Sequence, residues 1–438
     1  MKRVVIFLTT VLIVMPVKTY GWVKTYGTGG ADAGLQVQQI TGGYFIFAGT
    51  HLDELPDLWL LKINPEGDTI WSHEFGYTAV DWGVAAYVTS DNGYILFENS
   101  NWPNFSIIRT DSAGNVLWSR DYMDRLLSSV YPTSDGGYIL GQDEDTEGYC
   151  SIMKIDTLVD SIWCKGYEYG DIRHVEESSD NGFILTGGAR NDGILWLLKV
   201  DSDGDTLWSK TCTNWEASYG NCVRQTSDEG YILTGSCVVG EVGRLLVFKT
   251  DSEGDMLWSY AADFESMAKC VHETEDGFLV AGRDSDARSA LLVKLSKTGE
   301  LVWEQRYGTR TNFNCMDLTN DGGIILTGSI HVEAENNDLF IVKTDSEGNP
   351  AVVEYPEPEI QYWKVATRIG REIILKYANH PQGFHASVFD ASGRKVGEIS
   401  SAKPSGTLKW GDGVLPGVYF IVPETGGCGR AQKVMLIR

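Results

Sequence analysis

Outside its first residues the chain is written in short apolar runs separated by Gly- and Asp-rich turns, with no sustained helical period. Three kinds of run recur in a fixed order. One follows a polar turn, as in Ser134-Asp-Gly-Gly-Tyr-Ile-Leu140 and Ser179-Asp-Asn-Gly-Phe-Ile-Leu-Thr-Gly187, and starts at Tyr44, Tyr94, Tyr138, Phe183, Tyr231, Phe278 and Ile324. The next ends in a base, at Lys62, Arg109, Lys154, Lys199, Lys249, Lys294 and Lys343. The third follows an acidic turn and carries a tryptophan, as in Lys199-Val-Asp201-Ser-Asp203-Gly204-Asp205-Thr-Leu-Trp208. Gly and Asp at these turns supply positive φ and local caps, so the runs read as strands joined by hairpins.

With the run before each polar turn, such as Cys222-Val-Arg-Gln-Thr226, every unit holds four strands, and the unit repeats every 45 to 50 residues. Four antiparallel strands at that period predict an all-β chain, a seven-bladed β-propeller, since the repeats of a β-solenoid are shorter. The tryptophans are Trp22, Trp71, Trp118, Trp163, Trp208, Trp258 and Trp303. The first has no turn before it, and the last turn, Lys343-Thr-Asp345-Ser-Glu-Gly348-Asn349, is followed by Pro350 and no Trp. The final blade therefore lacks its fourth strand, and the segment from Trp22 is expected to supply it and close the ring.

Within the turns, Gly67 and Trp71, Gly114 and Trp118, Gly204 and Trp208, Gly254 and Trp258, and Gly299 and Trp303 are four apart. An indole laid on a neighbouring blade's glycine peptide docks blades together. This resembles the tryptophan-docking motif of pyrroloquinoline-quinone-type propellers, with an Asp-to-Gly spacing one residue shorter. All seven tryptophans are thus expected between blades rather than as sugar platforms. No vicinal cysteine pair occurs, and a quinone cofactor is not expected.

Charge divides the chain. Residues 22–356 carry a net −31 and residues 357–438 a net +4. So acidic a body repels nucleic acid and anionic membranes, and the change of sign marks a domain boundary. Residues 1–21, with Lys2 and Arg3 before the apolar run Val4 to Val14, read as a secretory signal peptide. No later stretch is long and apolar enough to span a membrane. Export permits disulfides, and Cys150 with Cys164, or Cys212 with Cys222, are candidate pairs. Cys222, Cys270 and Cys315 occupy one position of successive units and read as small buried thiols.

Candidate chemistry is sparse. Asp201, Asp203 and Asp205 place oxygen ligands at alternate positions, which suits Ca²⁺. Sister turns replace the middle acid with Ala113, Leu158 and Thr298, so a turn is the favoured reading and no cofactor is expected beyond Ca²⁺ there. The histidines show no metal-ligand spacing. Irregular segments are the candidate binding surface: Trp102 and Phe105 in Asn99-Ser-Asn-Trp-Pro-Asn-Phe105, and Trp215 and Tyr219 in Asn214-Trp-Glu-Ala-Ser-Tyr219. The segments His51–Pro56 and His331–Asn336 are comparable loops.

After the Pro- and Glu-rich stretch 354–364, a linker by composition, residues 365–438 alternate apolar and polar positions as a small β-sandwich would. Ala386-Ser-Val-Phe-Asp390-Ala-Ser-Gly393-Arg394-Lys-Val396, Trp410-Gly-Asp-Gly413, Gly417-Val-Tyr-Phe-Ile421 and the terminal Lys433-Val-Met-Leu-Ile-Arg438 follow in order. This run resembles the C-terminal (type A) sorting domain of proteins exported by the type IX secretion system, without the Asn-Pro pair usual near its start. The resemblance implies partnership with that machinery and a secreted or surface-attached fate in a diderm bacterium. The expected function is a binding propeller for a surface glycan or protein, without catalysis. A polysaccharide-active enzyme using acids on the propeller face, or a purely structural surface protein, are the alternatives.

Overall fold

The computed structural model describes residues 21–350 and 362–437, apart from 28–30, 53–54, 76–80, 101–103, 124, 143–149, 169, 190–193, 213–217, 334–335, 366–368, 379–382, 404–405 and 424–431. The chain divides into two compact units, 1–352 and 353–438.

In the first unit the described residues form seven four-stranded antiparallel sheets. Six consist of four consecutive strands, for example Ser218–Gln225, Tyr231–Val239, Val242–Thr250 and Met256–Ala261. The seventh takes Thr311–Leu318, Ile324–Glu333 and Asn336–Thr344 and completes itself with Trp22–Tyr26, Trp22 standing opposite Lys343. The sheets are the blades of an all-β propeller. First strands of successive blades pack side by side, so they are innermost, and the tryptophan strands are outermost. Between the seventh and first blades, Gln39 N–H donates to Asp317 Oδ2 (2.9 Å) and Asn314 Nδ2 to the Gly34 carbonyl (2.9 Å).

Middle strands are apolar on both faces because both faces meet a neighbouring blade; Ile194–Val200 and Ser289–Ser296 are buried almost throughout. The basic residue ending each third strand has a role that its position did not suggest. Lys154, Lys199, Lys249, Lys294 and Lys343 are buried and reach back to the first turn of their own blade. Lys249 Nζ donates to Asp228 Oδ1 (2.9 Å) and to the Thr250 carbonyl (2.7 Å), while Thr226 Oγ1 donates to the same carboxylate. Lys154 with Asp135, Lys199 with Asp180, Lys294 with Asp276, Lys343 with Asp321 and Arg109 with Asp91 repeat the arrangement.

The tryptophan strands lock each blade to the next. Trp22, Trp163, Trp208, Trp258 and Trp303 lie against Gly67, Gly204, Gly254, Gly299 and Gly348, where an added Cβ would fall about 3 Å or less from the indole. Those glycines have φ between +76 and +83, so their lack of a side chain serves both the turn and the contact. Four residues beyond Trp22, Trp163 and Trp303, the hydroxyls of Tyr26, Tyr167 and Tyr307 donate to the same glycine's carbonyl. Two tryptophans differ. His73, not Trp71, covers Gly114, and Trp71 packs edge-on against Tyr94. In the next blade's turn Val159 (φ 60) stands in place of the glycine, its carbonyl accepting from Tyr122 and Arg120, and Trp118 is 39 % exposed.

The cysteine pairs expected from spacing do not form: no disulfide joins any of the seven described cysteines. Cys164 stands opposite Met153 rather than Cys150, because the hairpin register offsets them. Phe105 is also not a surface residue: alternation turns it into the core, stacked on Tyr122 at 4.6 Å. His331 lies in a strand opposite Asn337, within a long hairpin.

In the second unit a three-stranded sheet (Tyr362–Val365, Ile373–Ala378, Gly406–Trp410) and a five-stranded sheet share one apolar cluster containing Leu375, Phe384, Val388, Ile421 and Val434. The terminal strand Gln432–Leu436 pairs with Gly417–Pro423, and Asp390 caps the turn to Arg394 through two backbone N–H groups. Among the described residues no helix is long and apolar enough to cross a membrane.

Candidate functional site

Every innermost strand carries a bulge near its start, so the strands share one register about the axis. The residue after the bulge is Gln36, Ala85, Ser129, His174, Cys222, Cys270 or Cys315. Except at Ala85, its side chain turns to the backbone N–H of the next blade: Ala86 N–H donates to Gln36 Oε1 (2.9 Å), Val175 N–H to Ser129 Oγ (3.2 Å) and Val223 N–H to His174 Nδ1 (3.4 Å). The three thiols face the N–H groups of Val271, Met316 and Val37 in the same way. The cysteines that share one position of the repeat are therefore part of a ring of interblade contacts.

Two residues further on stand Gln38, Tyr87, Tyr131, Glu176, Arg224, His272 and Asp317, one per blade around the central channel. Glu176 Oε2 receives Arg224 Nη1 at 3.3 Å, and its other oxygen receives Gln225 N–H (3.1 Å). Arg224 Nε and Gln38 Oε1 are buried without a protein partner. Burial governs the titration here. It pushes the Glu176 and Asp317 carboxyls up and the three thiols up, Cys315 to about 11. His174 is pushed down to about 4 and His272 well below its usual value, by burial and then by the Arg224 charge. The three thiols stay protonated and the two buried imidazoles neutral near pH 7, so the cysteines of this ring are not thiolates and its histidines are not imidazolium ions.

The depressed imidazole has a measurable consequence. Below its unfolded value near 6.5 the unfolded chain takes up a proton that folded His174 refuses, so stability is lost as pH falls from 6.5 toward 4. Between pH 7 and 5 the expected loss from His174 is about 2 kcal/mol. The raised carboxyls of Glu176 and Asp317 act with the opposite sign, so the comparison is between variants. Denaturant titrations of His174→Gln at the two pH values should show a pH penalty about 2 kcal/mol smaller than in the parent.

Above the ring, at the strand starts, lies the channel mouth. Tyr219 (37 % exposed) and Trp82 (60 % exposed) are at the same register level on the fifth and second blades, with Met267 at that level on the sixth. Gly188 lets the Tyr219 ring approach the fourth blade, since a Cβ there would stand 2.8 Å from the ring. The Arg173 guanidinium covers that ring at 4.6 Å, held by Asp171 (2.9 Å) and Asn221 (3.2 Å). Lys269 occupies the equivalent bulge position two blades on and is solvent-exposed. Desolvation and then the Arg173 charge lower its pKa.

Of the binding candidates taken from irregular segments, Tyr219 reaches this mouth, whereas Trp102 and Trp215 lie outside the described residues. Nothing in the sequence pattern marks Arg173, because it meets Tyr219 and Asn221 only across a blade junction. The Asp201, Asp203 and Asp205 carboxylates do not converge: Asp201 caps its own turn through the N–H groups of Asp203 and Asp205, and Asp205 pairs with Lys165 of the preceding blade. No metal-competent cluster of three His, Cys, Asp or Glu occurs among the described residues.

A second cavity, a groove of about 860 Å³, opens between the sixth and seventh blades along Leu279, Val302, Trp303, Leu318 and Ile324. Elsewhere a clasp ties such junctions, as where Ser227 N–H donates to Glu273 Oε2 (2.7 Å) and Ser179 N–H to Gln225 Oε1 (2.7 Å). Leu318 holds the clasp position at this junction and accepts nothing from the Glu275 turn.

No known family profile matches the sequence, and no curated protein matches it. Solved structures do. A streptogramin B lyase structure aligns over 74 % of this chain and 97 % of its own at 9 % identity, TM-score 0.50. BBS1N, solved in complex with ARL6DN, aligns over 74 % and 95 % at 11 % identity, TM-score 0.50. PorZ, a surface component of the type IX secretion system of Porphyromonas gingivalis, aligns over 92 % and 59 % at 10 % identity, TM-score 0.44. At these identities the likeness to the first two establishes the propeller fold alone.

Proposed function

We propose that this chain is a secreted or cell-surface propeller that binds a glycan or protein ligand at its channel mouth, without catalysis, and that residues 365–438 direct its export through a type IX-like route. The observation that carries the binding reading is the mouth itself: exposed Trp82 and Tyr219 at one level around the axis, with Arg173 fixed over the tyrosine. Aromatic rings beside oriented polar groups on a rigid scaffold are the usual composition of a recognition surface. Among the described residues near the axis, Asp171 is engaged by Arg173, Glu176 by Arg224 and Asp317 by Gln39 N–H, which disfavours a polysaccharide-cleaving reading. The export reading rests on the apolar leader and on the ordered motifs ending in Lys433-Val-Met-Leu-Ile-Arg438.

Immobilised chain lacking its leader, presented with surface polysaccharides and surface proteins of diderm bacteria, should retain a ligand, and Trp82→Ala/Tyr219→Ala should lose it. Retention unchanged in that variant would refute the mouth as the site. In a host with a type IX system, deletion of 365–438 should leave the propeller in the periplasm, and its continued appearance at the surface would refute the export role.

A further inference from the structure

Acids outnumber bases 60 to 36 in this chain, and exposed cations on the propeller commonly meet a carboxylate, as Lys24, Arg120, Lys165, Lys210 and Lys297 do. The junction of the sixth and seventh blades departs from this at the end of the strands away from the polar turns. There Arg283, Arg288 and Arg310 are exposed, and none of their side chains has an ion pair or hydrogen bond among the described residues. The acids of the same segments are engaged elsewhere. Asp284 receives Arg306 Nε (2.6 Å) and the Ala287 N–H (2.7 Å), Glu304 receives Arg306 Nη1 (2.8 Å), and Asp286 receives the Glu265 N–H (3.2 Å).

Backbone contacts bring the three arginines to one place. Arg310 N–H donates to the Arg288 carbonyl (2.5 Å), and His331 N–H to the Arg310 carbonyl (2.9 Å), so both arginines stand where the two blades meet. Arg283 is opposite Ala290, whose N–H donates to Thr311 Oγ1 (2.8 Å), beside Arg310. Arg283, Ala290 and Tyr307 form one cross-strand row on one face, and Tyr307 packs 5.3 Å from Phe313 of the seventh blade. Arg283 thus faces the strand into which Arg310 leads. Arg288 and Arg310 also have φ of 52 and 61, where glycine is at ease and arginine is strained. The fold uses only the backbone of these two residues, which glycine would supply as well. Strain that the fold does not require is a mark of a functional position.

We propose that Arg283, Arg288 and Arg310 form an oxyanion site that takes the phosphate monoester group of a phosphosugar. Guanidinium forks match phosphate oxygens in pairs, and three of them suit a dianion better than the single charge of a carboxylate. The net −31 of residues 22–356 repels extended polyanions, so a compact phosphate on a neutral carrier fits where an anionic membrane or a nucleic acid does not. This site is separate from the channel mouth, and Trp82 and Tyr219 take no part in it.

The test is calorimetry on the chain lacking only its leader, at about pH 7.5, where a phosphate monoester is a dianion. The probes are glucose 1-phosphate and mannose 6-phosphate, with glucose, mannose and glucuronate as controls. At least one phosphosugar should bind about tenfold more tightly than every control, with inorganic phosphate competing and chloride at equal ionic strength not. Arg288→Gly and Arg310→Gly should each weaken that probe about tenfold. Their thermal unfolding should change little, because relief of the left-handed backbone offsets the greater freedom of glycine in the unfolded chain. Trp82→Ala/Tyr219→Ala should leave phosphosugar binding unchanged; its loss there would put the ligand at the mouth and overturn the proposal. Equal binding of phosphorylated and neutral sugars, no binding by either phosphosugar, or unchanged binding in both glycine variants would each overturn it too. So would capture by phosphatidate vesicles without phosphosugar binding, which would make the cluster a membrane contact.

Discussion

Replacing Trp22 by Ala is expected to cost the propeller about 4 kcal/mol, the scale of truncating a buried tryptophan. Trp22 is 6 % exposed, its indole N–H donates to the Pro65 carbonyl at 2.8 Å, and its ring lies on the Gly67 turn of the first blade. Its strand is also the outer strand of the seventh blade, so the residue joins the two ends of the ring. Losing the contact loosens the closure and the unpaired edge of Asn336–Thr344 together, and an exposed edge invites intermolecular pairing. The matched control is Trp118→Ala. That ring is 39 % exposed and its junction has Val159 where the others have a glycine, and its truncation should cost no more than about 1 kcal/mol. Equilibrium unfolding in denaturant measures both. Equal losses would mean that closure at Trp22 carries no special weight.

Removing Asp228 should cost more than removing the lysine it pairs with. Lys249 has 4 % of its side chain exposed, and its ammonium is neutralised by Asp228, which is itself 58 % exposed. Burial would raise the Asp228 carboxyl, but hydrogen bonds from Thr226, Lys249 and the Gly230 N–H outweigh it and hold the group down at about 2. Asp228→Ala leaves a buried cation with only the Thr250 carbonyl, at a cost of about 3 kcal/mol. Lys249→Met keeps the volume, returns the carboxylate to water and forfeits mainly one hydrogen bond, about 1 kcal/mol. The double variant should resemble Lys249→Met, since the stranded charge is gone. The reverse order of the single variants in a denaturant titration would show that the ion pair does not govern the turn.

These two results concern features of different legibility. Ring closure could be counted along the chain, because a tryptophan strand without a turn and a turn without a tryptophan are both visible in the sequence. The lysine role could not. A base at the end of an apolar run ordinarily reaches solvent, and the acid that holds Lys249 inside lies 21 residues back, across a hairpin. Phe105 shows the opposite failure: an extra Trp beside Pro103 suggested a surface loop, but strand alternation turned the phenylalanine into the core. Likewise, the docking of Trp71 and Trp118 depended on what the next blade presents, His73 over Gly114 and Val159 in place of glycine.

The strands, their grouping by fours and the strand that closes the ring are all written along the chain, because hairpin pairing is local and its turn residues announce it. The channel is not, and it comes into being on folding. The ring Gln38, Tyr87, Tyr131, Glu176, Arg224, His272 and Asp317 has a common backbone register and no common chemistry, so no periodicity of residue type betrays it. The mouth above it is assembled across blades, and the contacts of Arg173 with Tyr219 and Asn221 arise from the closed radial packing of strands far apart in the chain. Local hydrogen bonding writes itself into sequence as a repeat; a site on the symmetry axis is built from the places where the repeat is broken.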